Sequence, residues 1–222
     1  MKISIIIPVV NEERNLSATL DSLQSFRSQG HEIIVVDGGS VDSSVSIAHD
    51  NADTVIVSQP GRAMQMNNGA SVATGDVFLF LHADTFLPVE AEALMTEETG
   101  DSFWGYFDVR LSGRHIVFRL IEWFMNHRSR LSSIATGDQA IFVSRKLFFD
   151  VGGFPEIKLM EDIAISRLLK CIATPVRLKA PVLTSSRRWE DKGITSTVLL
   201  MWRLRLLYFF GVSPDKLSRM YR

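Results

Sequence analysis

The sequence predicts an α/β protein with a mostly parallel β-sheet and helices on both of its faces. Between Ile3 and Leu81, short apolar runs alternate with amphipathic helical segments, which is the pattern of right-handed βαβ units. The run Val77–Leu81 contains only apolar residues, as is typical of a strand buried on both faces. Of the 222 residues, 46% are hydrophobic and 22% charged, which is ordinary for a globular protein and argues against disorder.

The first part of the chain is predicted to contain four strands and three helices. The apolar runs place the strands at Ile3–Ile7, Ile33–Val36, Val55–Val57 and Val77–Leu81. Asn11 is expected to cap the first helix, with Glu12 and Glu13 in its first turn and an apolar stripe of Leu16, Leu20, Leu23 and Phe26. Ser40 is expected to cap the second helix, which runs through Ala48, and the third extends from Gly61 to about Ala73.

After Pro88 the alternation is less regular. The predicted elements are a helix near Glu90–Glu98, a more exposed strand at Phe103–Leu111, a helix at Ile116–Ser129, a strand near Gln139–Val143, a loop at Gly152–Pro155 and a helix at Glu161–Lys170. The sequence contains no repeat, low-complexity tract or linker. We therefore expect one domain over residues 1–222, with a boundary near Pro88 between two halves, 1–88 and 89–222.

Charge and cysteine content exclude several classes of protein. The 24 basic and 25 acidic residues give a net charge of −1, so no global field attracts nucleic acid. The single cysteine, Cys171, excludes an internal disulfide and a cysteine zinc cluster. It lies in an apolar helical stretch, which favours a buried, inert thiol and a reducing compartment. The start of the chain lacks a signal-peptide pattern, and no 18 apolar residues occur together, so a soluble cytoplasmic protein is expected.

Two aromatic segments have two open interpretations. Ile116–Met125 carries Arg119 and Glu122, and Val198–Val212 carries Arg203 and Arg205. Each could be an amphipathic helix at the inner face of the membrane, or a helix packed on the core or on a second copy of the chain. The second interpretation is commoner and is favoured, while peripheral membrane contact and a homodimer both stay open.

A short segment with polar residues follows each of three predicted strands. The segments are Pro8–Glu12 after the first strand, Asp37 with Gly38, Gly39 and Ser40 after the second, and His82-Ala83-Asp84 after the fourth. Ligands of open α/β sheets bind beyond the ends of such strands, and a carboxylate such as Asp84 suits Mg²⁺ or Mn²⁺ on a phosphate. Asp84 could instead only open the turn before Pro88, and Asp37-Gly38-Gly39-Ser40 is also an ordinary turn.

Arg62 begins the third predicted helix, where its guanidinium could meet a phosphate or simply be solvated. The turn after the first predicted strand lacks G-x-G-x-x-G and the Gly-Lys-Ser/Thr of a P-loop. This argues against both dinucleotide-binding and P-loop proteins. Glu161 and Asp162 begin the last predicted helix, and on spacing alone they are best explained by the helix dipole.

Together these segments resemble the family-2 glycosyltransferases of GT-A fold. The resemblance covers nearly the whole chain and is strongest over residues 3–84 and 136–170. It is carried by the segments IIIPVVNEERNL, IIVVDGGSVDSS, GRAMQMNNGASVATGD, FLFLHADT and TGDQAIFVSRKLFFDVGGFPEIKLMEDIAISRLLK. With Arg187-Arg188-Trp189, the chain is most similar to small, membrane-free bacterial members, some of them associated with arsenosugar biosynthesis.

The resemblance implies a hexosyltransferase that inverts the sugar's anomeric centre, with a UDP-sugar as the favoured donor and an acceptor that stays unknown. Residues 1–88 would bind the nucleotide sugar, and 89–222 would form the acceptor side and the C-terminal helices. Implied donor residues are Pro8, Asn11, Glu12, Asp37, Arg62, His82 and Asp84. Asp84 would hold the Mg²⁺ or Mn²⁺, and Asp162, next to Glu161, would be the catalytic base. Gly137, Asp138, Gln139, Arg188 and Trp189 would border the acceptor or diphosphate.

The chain departs from the family pattern at two places. Many relatives have a second aspartate where this chain has Gly38, which leaves the base of the donor open. The metal element is His82-Ala83-Asp84, with one firm carboxylate, and His82 either adds a nitrogen ligand or, as we favour, packs beside the strand end. Two alternatives are a nucleotidyltransferase, which would need a Gly-rich basic loop after the first strand, and a non-catalytic nucleotide-sugar-binding module.

Overall fold

The computed structural model describes residues 1–97 and 100–221, and its first half has the predicted alternation. Strands β1 (Ile3–Val9), β2 (Glu32–Asp37), β3 (Thr54–Val57) and β4 (Val77–Phe80) lie parallel, with β1 between β2 and β4. The helices between them are α1 (Leu16–Ser22), α2 (Gln24–Ser28), α3 (Ser44–Asn51) and α4 (Arg62–Val72). Every residue of β4 is buried, as expected for a strand covered on both faces.

The second half extends the same sheet with mixed strand directions. Its elements are β5 (Thr85–Phe86), α5 (Ala91–Thr96), β6 (Trp104–Leu111), α6 (Ile116–Ser132), β7 (Ile141–Ser144), α7 (Arg145–Asp150), α8 (Glu161–Lys170), β8 (Val176–Thr184), α9 (Arg187–Lys192), α10 (Ile194–Phe209) and α11 (Pro214–Tyr221). Among the described residues the strand order is β3-β2-β1-β4-β7-β6-β8-β5. β7 pairs antiparallel with β4 and β6, β5 pairs antiparallel with β8, and β6 pairs parallel with β8. Both predicted halves therefore share one sheet. The predicted end of α5, Glu98, lies outside the described residues.

Apolar side chains cover the sheet on both sides. On one side β1 packs through Ile3, Ile5 and Ile7 against α1, α2 and α3, and on the other through Ile6 against α4, α7 and α8. The four stripe residues Leu16, Leu20, Leu23 and Phe26 are all buried, although Leu23 separates α1 from α2. The prediction of an α/β sheet with helices on both faces is confirmed.

The predicted capping roles of Asn11 and Ser40 are wrong. The helices begin several residues later, at Leu16 and Ser44. Asn11 adopts a left-handed backbone conformation (φ 54°), and its side-chain oxygen accepts a hydrogen bond from the Val41 N–H at 2.9 Å. The Ser40 hydroxyl accepts one from the Asn11 N–H at 2.9 Å. The two side chains thus join the loops after β1 and β2 and are not available to cap helices.

Two further predictions in the second half are wrong. β6 is not an exposed strand, because it lies between β7 and β8 and only Arg110 of its eight residues is exposed. Its Asp108 pairs with Arg177 through two hydrogen bonds of 2.7 and 2.6 Å, which allows a carboxylate inside the sheet. Cys171 is exposed, because it lies one residue beyond the end of α8.

Candidate active site

A cleft of about 510 Å³ opens where β1 and β4 end, and most of the predicted site residues line it. Its walls come from the ends of both strands, the start of α4, the turn before β7, the start of α8, and helices α9 and α10. The predicted residues among its lining are Pro8, Glu12, Arg62, His82, Asp84, Gly137, Asp138, Glu161, Asp162, Arg188 and Trp189. The position of the cleft agrees with the rule that ligands bind beyond the carboxyl ends of parallel strands.

Three predicted site residues are not part of this lining: Asn11, Asp37 and Gln139. The Asp37 carboxylate is buried and accepts hydrogen bonds from the N–H groups of Gly39 and Ser40. Gln139 is also buried, and its side-chain oxygen accepts from the Ser129 hydroxyl at 2.6 Å. Asp37 and Gln139 thus stabilise local structure beside the cleft, and the binding roles implied for all three stay predictions.

Asp84 lies beyond β4 with a carboxylate that no other described residue hydrogen-bonds. Desolvation raises its pKa, and the nearby Asp138 and Glu12 carboxylates raise it further, while His82 and Arg187 oppose them. An unpartnered, crowded carboxylate in a cleft is disfavoured as an anion until a cation approaches. Asp84 is therefore placed to bind a positive group.

His82 fills the space next to Asp84 and makes contact with the turn before β7. Its Nδ1 lies 3.3 Å from Oδ1 of Asp138. A Cβ atom at Gly137 would lie 2.5 Å from the His82 Nε2, so a larger residue at that position would displace the His82 ring. Burial disfavours the charged Asp138 carboxylate, but the His82 hydrogen bond and the charges of Arg62 and Arg128 outweigh it and lower the pKa of Asp138.

Asp162 and Glu161, in the first turn of α8, have different surroundings. Asp162 Oδ2 accepts a hydrogen bond from the Gly137 N–H at 3.0 Å, and Oδ1 accepts one from the Ile163 N–H at 2.7 Å. These two donors orient the carboxylate at the start of the helix. Glu161 is 4% exposed, and desolvation, together with the Asp162 charge, raises its pKa.

Arg62 meets Glu161 across the cleft. Its Nη1 lies 3.7 Å from the Glu161 Oε1, and the Arg62 side chain is 48% exposed. The guanidinium thus has one side on a carboxylate and the other toward the cleft. Arg62 is paired on one side and half exposed, which leaves part of the guanidinium available to an anion or to solvent, and both interpretations of Arg62 stay open.

The segment Arg187–Trp189 closes the side of the cleft opposite α4. Nη2 of Arg187 lies 3.6 Å from Oε2 of Glu12. Arg188 stacks on the Tyr221 ring at 3.7 Å and donates a hydrogen bond to the Tyr221 carbonyl oxygen at 3.2 Å. Its Nε is buried and has no hydrogen-bond partner in the part of the chain that the structure describes. Trp189 packs beside Phe118 of α6.

Sequence reasoning missed several residues of the site. Gln65 is 2% exposed, and its amide donates hydrogen bonds to the carbonyl oxygens of Val9 at 3.0 Å and Val36 at 2.8 Å. A glutamine on the apolar face of a helix was a usable signal for it. Arg187 and Tyr221 line the cleft, and Arg128 lies behind it, where burial lowers its pKa against the opposing charges of Asp162 and Asp138. Tertiary folding alone brings these three to the site.

The donor set of the cleft fits a divalent cation held jointly with a ligand. No group of three or more His, Cys, Asp or Glu side chains among the described residues could hold a metal ion. Mg²⁺ and Mn²⁺ commonly take one or two carboxylates and complete their shells with substrate phosphates and water. The Asp84 carboxylate offers such a ligand, and Arg62, Arg187 and Arg188 could share the phosphate charge.

Comparison of the sequence with known families and proteins points to one family. The model of glycosyl transferase family 2 matches residues 4–142. A poly(ribitol-phosphate) beta-glucosyltransferase of Bacillus spizizenii is 37% identical over 101 residues, which are 41% of this chain and 16% of that protein. The chain spans between 16% and 38% of the length of the curated relatives it matches.

Solved structures show the same fold. S. aureus TarS 1-349 in complex with UDP-GlcNAc has a TM-score of 0.65 at 24% identity, over 84% of this chain and 59% of that one. The mannosyltransferase from Pyrobaculum calidifontis, in complex with GDP-Man and Mn²⁺, has a TM-score of 0.66 at 20% identity, over 99% and 68%. The fold is therefore GT-A, as the sequence resemblance implied.

Proposed function

The chain belongs to glycosyl transferase family 2, and on this premise we propose that it transfers a sugar from a nucleotide-diphosphate sugar to an acceptor hydroxyl. One observation carries the proposal beyond family membership. The unpartnered carboxylate of Asp84 and the oriented carboxylate of Asp162 line the same cleft as the half-exposed Arg62 guanidinium. Glycosyl transfer needs a site for the diphosphate and a base for the acceptor, and this cleft offers both.

The donor is proposed to bind between the end of β1 and the start of α4. Pro8, Glu12 and Asp84 line this part of the cleft, together with Arg62. Solved structures of the same fold contain UDP-GlcNAc and GDP-Man, and a UDP-sugar is the donor we test first. We propose that residues 1–88 form the donor half and residues 89–222 the acceptor half of one catalytic domain.

Asp84 is the residue that would hold a divalent cation. The cation, when bound, would supply positive charge to the diphosphate as it leaves. Arg62 supplies charge independently, because its guanidinium is permanently protonated and its ion pair with Glu161 holds it at the cleft wall. Glu161 is buried behind that guanidinium, so we assign it a positioning role and leave the proton transfer to Asp162.

Asp162 is proposed as the general base of an inverting displacement. The acceptor hydroxyl gives its proton to the Asp162 carboxylate while its oxygen bonds to the anomeric carbon. The bond between that carbon and the diphosphate oxygen breaks in the same step, and the nucleoside diphosphate leaves with the electron pair. The N–H groups of Gly137 and Ile163 hold the carboxylate in place, and general-base catalysis of this kind contributes roughly 100- to 10,000-fold.

The proposal is tested with the purified chain and a panel of nucleotide sugars, with and without Mn²⁺. Donor binding is read as a rise in melting temperature, and turnover as release of the nucleoside diphosphate. We expect one donor to stabilise the protein more strongly in the presence of Mn²⁺. Release of pyrophosphate from a nucleoside triphosphate would instead identify a nucleotidyltransferase. Donor binding without turnover on any acceptor tested would favour a binding module.

A further inference from the structure

Helix α10 has one face that lines the cleft and an opposite face that is exposed to solvent. Thr197, Met201, Leu204 and Arg205 line the cleft. The opposite side is an apolar face open to solvent, which we call the outer face of α10: Leu199, Trp202, Leu206 and Phe209, with Phe210 just beyond the helix end, exposed by 65, 67, 58, 72 and 72%. Aromatic side chains exposed to this extent along one helix mark an interaction surface.

A second stripe of the same kind lies on α6, which shares a hydrophobic cluster with α10. Val117, Phe118 and Ile121 of α6 pack in one cluster with Ile194 and Val198 of α10. The solvent side of α6 carries Ile116, Leu120, Trp123, Phe124 and Leu131, which are 76, 55, 51, 49 and 84% exposed. The expectation that both helices pack on the core is thus only partly met, because each buries one side and exposes an apolar stripe on another.

The charges beside these stripes are positive. α10 contains no Asp or Glu, and its exposed Arg203 lies between Trp202 and Leu206. α6 adds the exposed Arg130. The one acid of α6, Glu122, is 9% exposed and lies 3.0 Å from Arg119 Nη2. Tryptophan and arginine around aliphatic residues are typical of helices that lie in the headgroup region of a membrane.

A second copy of the chain fits this surface less well. A symmetric dimer brings the same patch of both subunits together, so Arg203 and Arg130 would face positive charge without a carboxylate of the patch to neutralise it. An anionic membrane supplies that negative charge. No described helix is long and apolar enough to cross a bilayer, so contact with lipid has to be made along the helix surface.

We propose that the outer face of α10 and the neighbouring stripe of α6 dock the protein on an anionic membrane surface. The apolar side chains enter the headgroup region, and Arg203 and Arg130 meet lipid phosphates. The cleft then lies on the other side of the docked helix. Combined with the proposed glycosyl transfer, on which this one step rests, docking predicts an acceptor carried at the membrane surface.

The test is sedimentation of the full chain with phosphatidylcholine vesicles that contain or lack phosphatidylglycerol, without any nucleotide sugar. We expect binding to the anionic vesicles only, weakened by salt because surface charge pairing is screened. Trp202→Ser/Phe209→Ser should lower the affinity at least about tenfold, since each buried aromatic side chain contributes at least that factor. The matched control, Val57→Ser/Val89→Ser, removes two apolar side chains that are 76 and 100% exposed elsewhere, and should bind like the parent protein.

Arg203→Glu keeps the apolar surface and tests the charge separately. It should weaken binding to anionic vesicles and reduce the salt dependence, and its melting temperature should match that of the parent. The proposal is overturned if the parent protein does not sediment with anionic vesicles, or if neither set of variants changes binding. It is also overturned if light scattering shows a dimer that Trp202→Ser/Phe209→Ser converts to a monomer, because the second copy is then the occupant. Since no substrate is present, these outcomes do not depend on the proposed activity.

Discussion

His82 and Asp138 join the end of β4 to the turn before β7, with 3.3 Å between Nδ1 and Oδ1. The next residue back, Gly137, donates its N–H to Asp162 at the start of α8. A continuous path of contacts therefore runs from the strand end that carries Asp84 to the carboxylate proposed as the base. This turn connects the end of β4 to the start of α8 on the two sides of the cleft.

Asp138→Asn is expected to lower the free energy of unfolding by an amount that depends on pH. The pKa of Asp138 is lowered in the folded protein, so its ionised form stabilises the fold above the ordinary carboxyl range. That contribution is lost as the pH falls through the lowered pKa. Because the carboxylate is 46% exposed, we expect a loss of only about 0.5–1 kcal/mol at pH 7. Chemical denaturation at pH 7 and at pH 3 measures it, and an equal loss at both values would contradict this account.

Asp84→Asn is expected to stabilise the protein while it weakens donor binding. Desolvation raises the pKa of Asp84, so the folded state loses stability as the pH rises through the carboxyl range, and a neutral amide removes that cost. We expect a higher melting temperature than the parent at pH 7 and a smaller difference at pH 4. Metal-dependent donor affinity should fall at least about tenfold, because even second-shell changes cost that much.

Calorimetry with the nucleoside diphosphate and Mn²⁺ tests the second half of this prediction. Asp50→Asn serves as the matched control, because Asp50 is exposed on α3 and does not line the cleft. Unchanged Mn²⁺-dependent affinity in Asp84→Asn would remove Asp84 from the proposed cation site.

Asp162→Asn is expected to abolish turnover and leave donor binding intact. Gly137 and Ile163 donate to separate oxygens of Asp162, so the amide oxygen keeps one of these two hydrogen bonds, and the amide cannot take the acceptor's proton. We expect kcat to fall roughly 100- to 10,000-fold with an unchanged Kd for the donor. Glu161→Gln, in which the neighbouring carboxylate is neutralised, should lose far less kcat. If the two variants lose turnover equally, Asp162 has no special role.

Arg62 and Glu161 are expected to depend on each other for stability, while donor affinity depends mainly on the Arg62 guanidinium itself. Arg62→Ala leaves the buried Glu161 carboxylate unpaired, and we expect a loss of about 1–2 kcal/mol, less than for a fully buried pair because Arg62 is half exposed. Adding Glu161→Gln should restore most of the stability, but not the donor affinity that the guanidinium supplies. Denaturation and donor titration of both single variants and the double variant measure this coupling. Additive losses would mean that the ion pair contributes nothing.

The sequence predicts the first half of the fold well because local pattern decides it. The strands β1 to β4 are short apolar runs bounded by turn residues, and each run lies within one residue or two of its strand. Asp84 was singled out for the same reason, since a strand end is a local feature, whereas the role of Asp162 was implied only by the family resemblance. The parallel sheet places Asp84 at the cleft, and the packing of α8 brings Asp162 to the same cleft.

The missed features depend on contacts between distant residues. β8 was not predicted because Pro181 interrupts its pattern, and the proline is accommodated where the pairing with β6 shifts register. Asn11 and Ser40 are residue types that often cap helices. Here the Asn11 side chain instead accepts a hydrogen bond from the loop after β2, and the Ser40 hydroxyl accepts one from the loop after β1. Tyr221 reaches the cleft only through the packing of α11 on α10 around Leu204 and Leu217.

The hydrogen bonds of the Gln65 amide fix the position of α4, and with it Arg62, relative to the sheet. The amide donates hydrogen bonds to the carbonyl oxygens of Val9, the last residue of β1, and Val36, one residue before the end of β2, so α4 cannot slide or turn without burying an unsatisfied amide. Arg62 is one turn away on the same helix. The start of α4, which carries Arg62, is therefore fixed in place before any ligand binds. In the proposed reaction the donor phosphate moves to the guanidinium. Gln65→Leu removes the hydrogen bonds of the amide. It would let the position of Arg62 relative to the acceptor side vary, although no residue proposed to contact the substrates is changed.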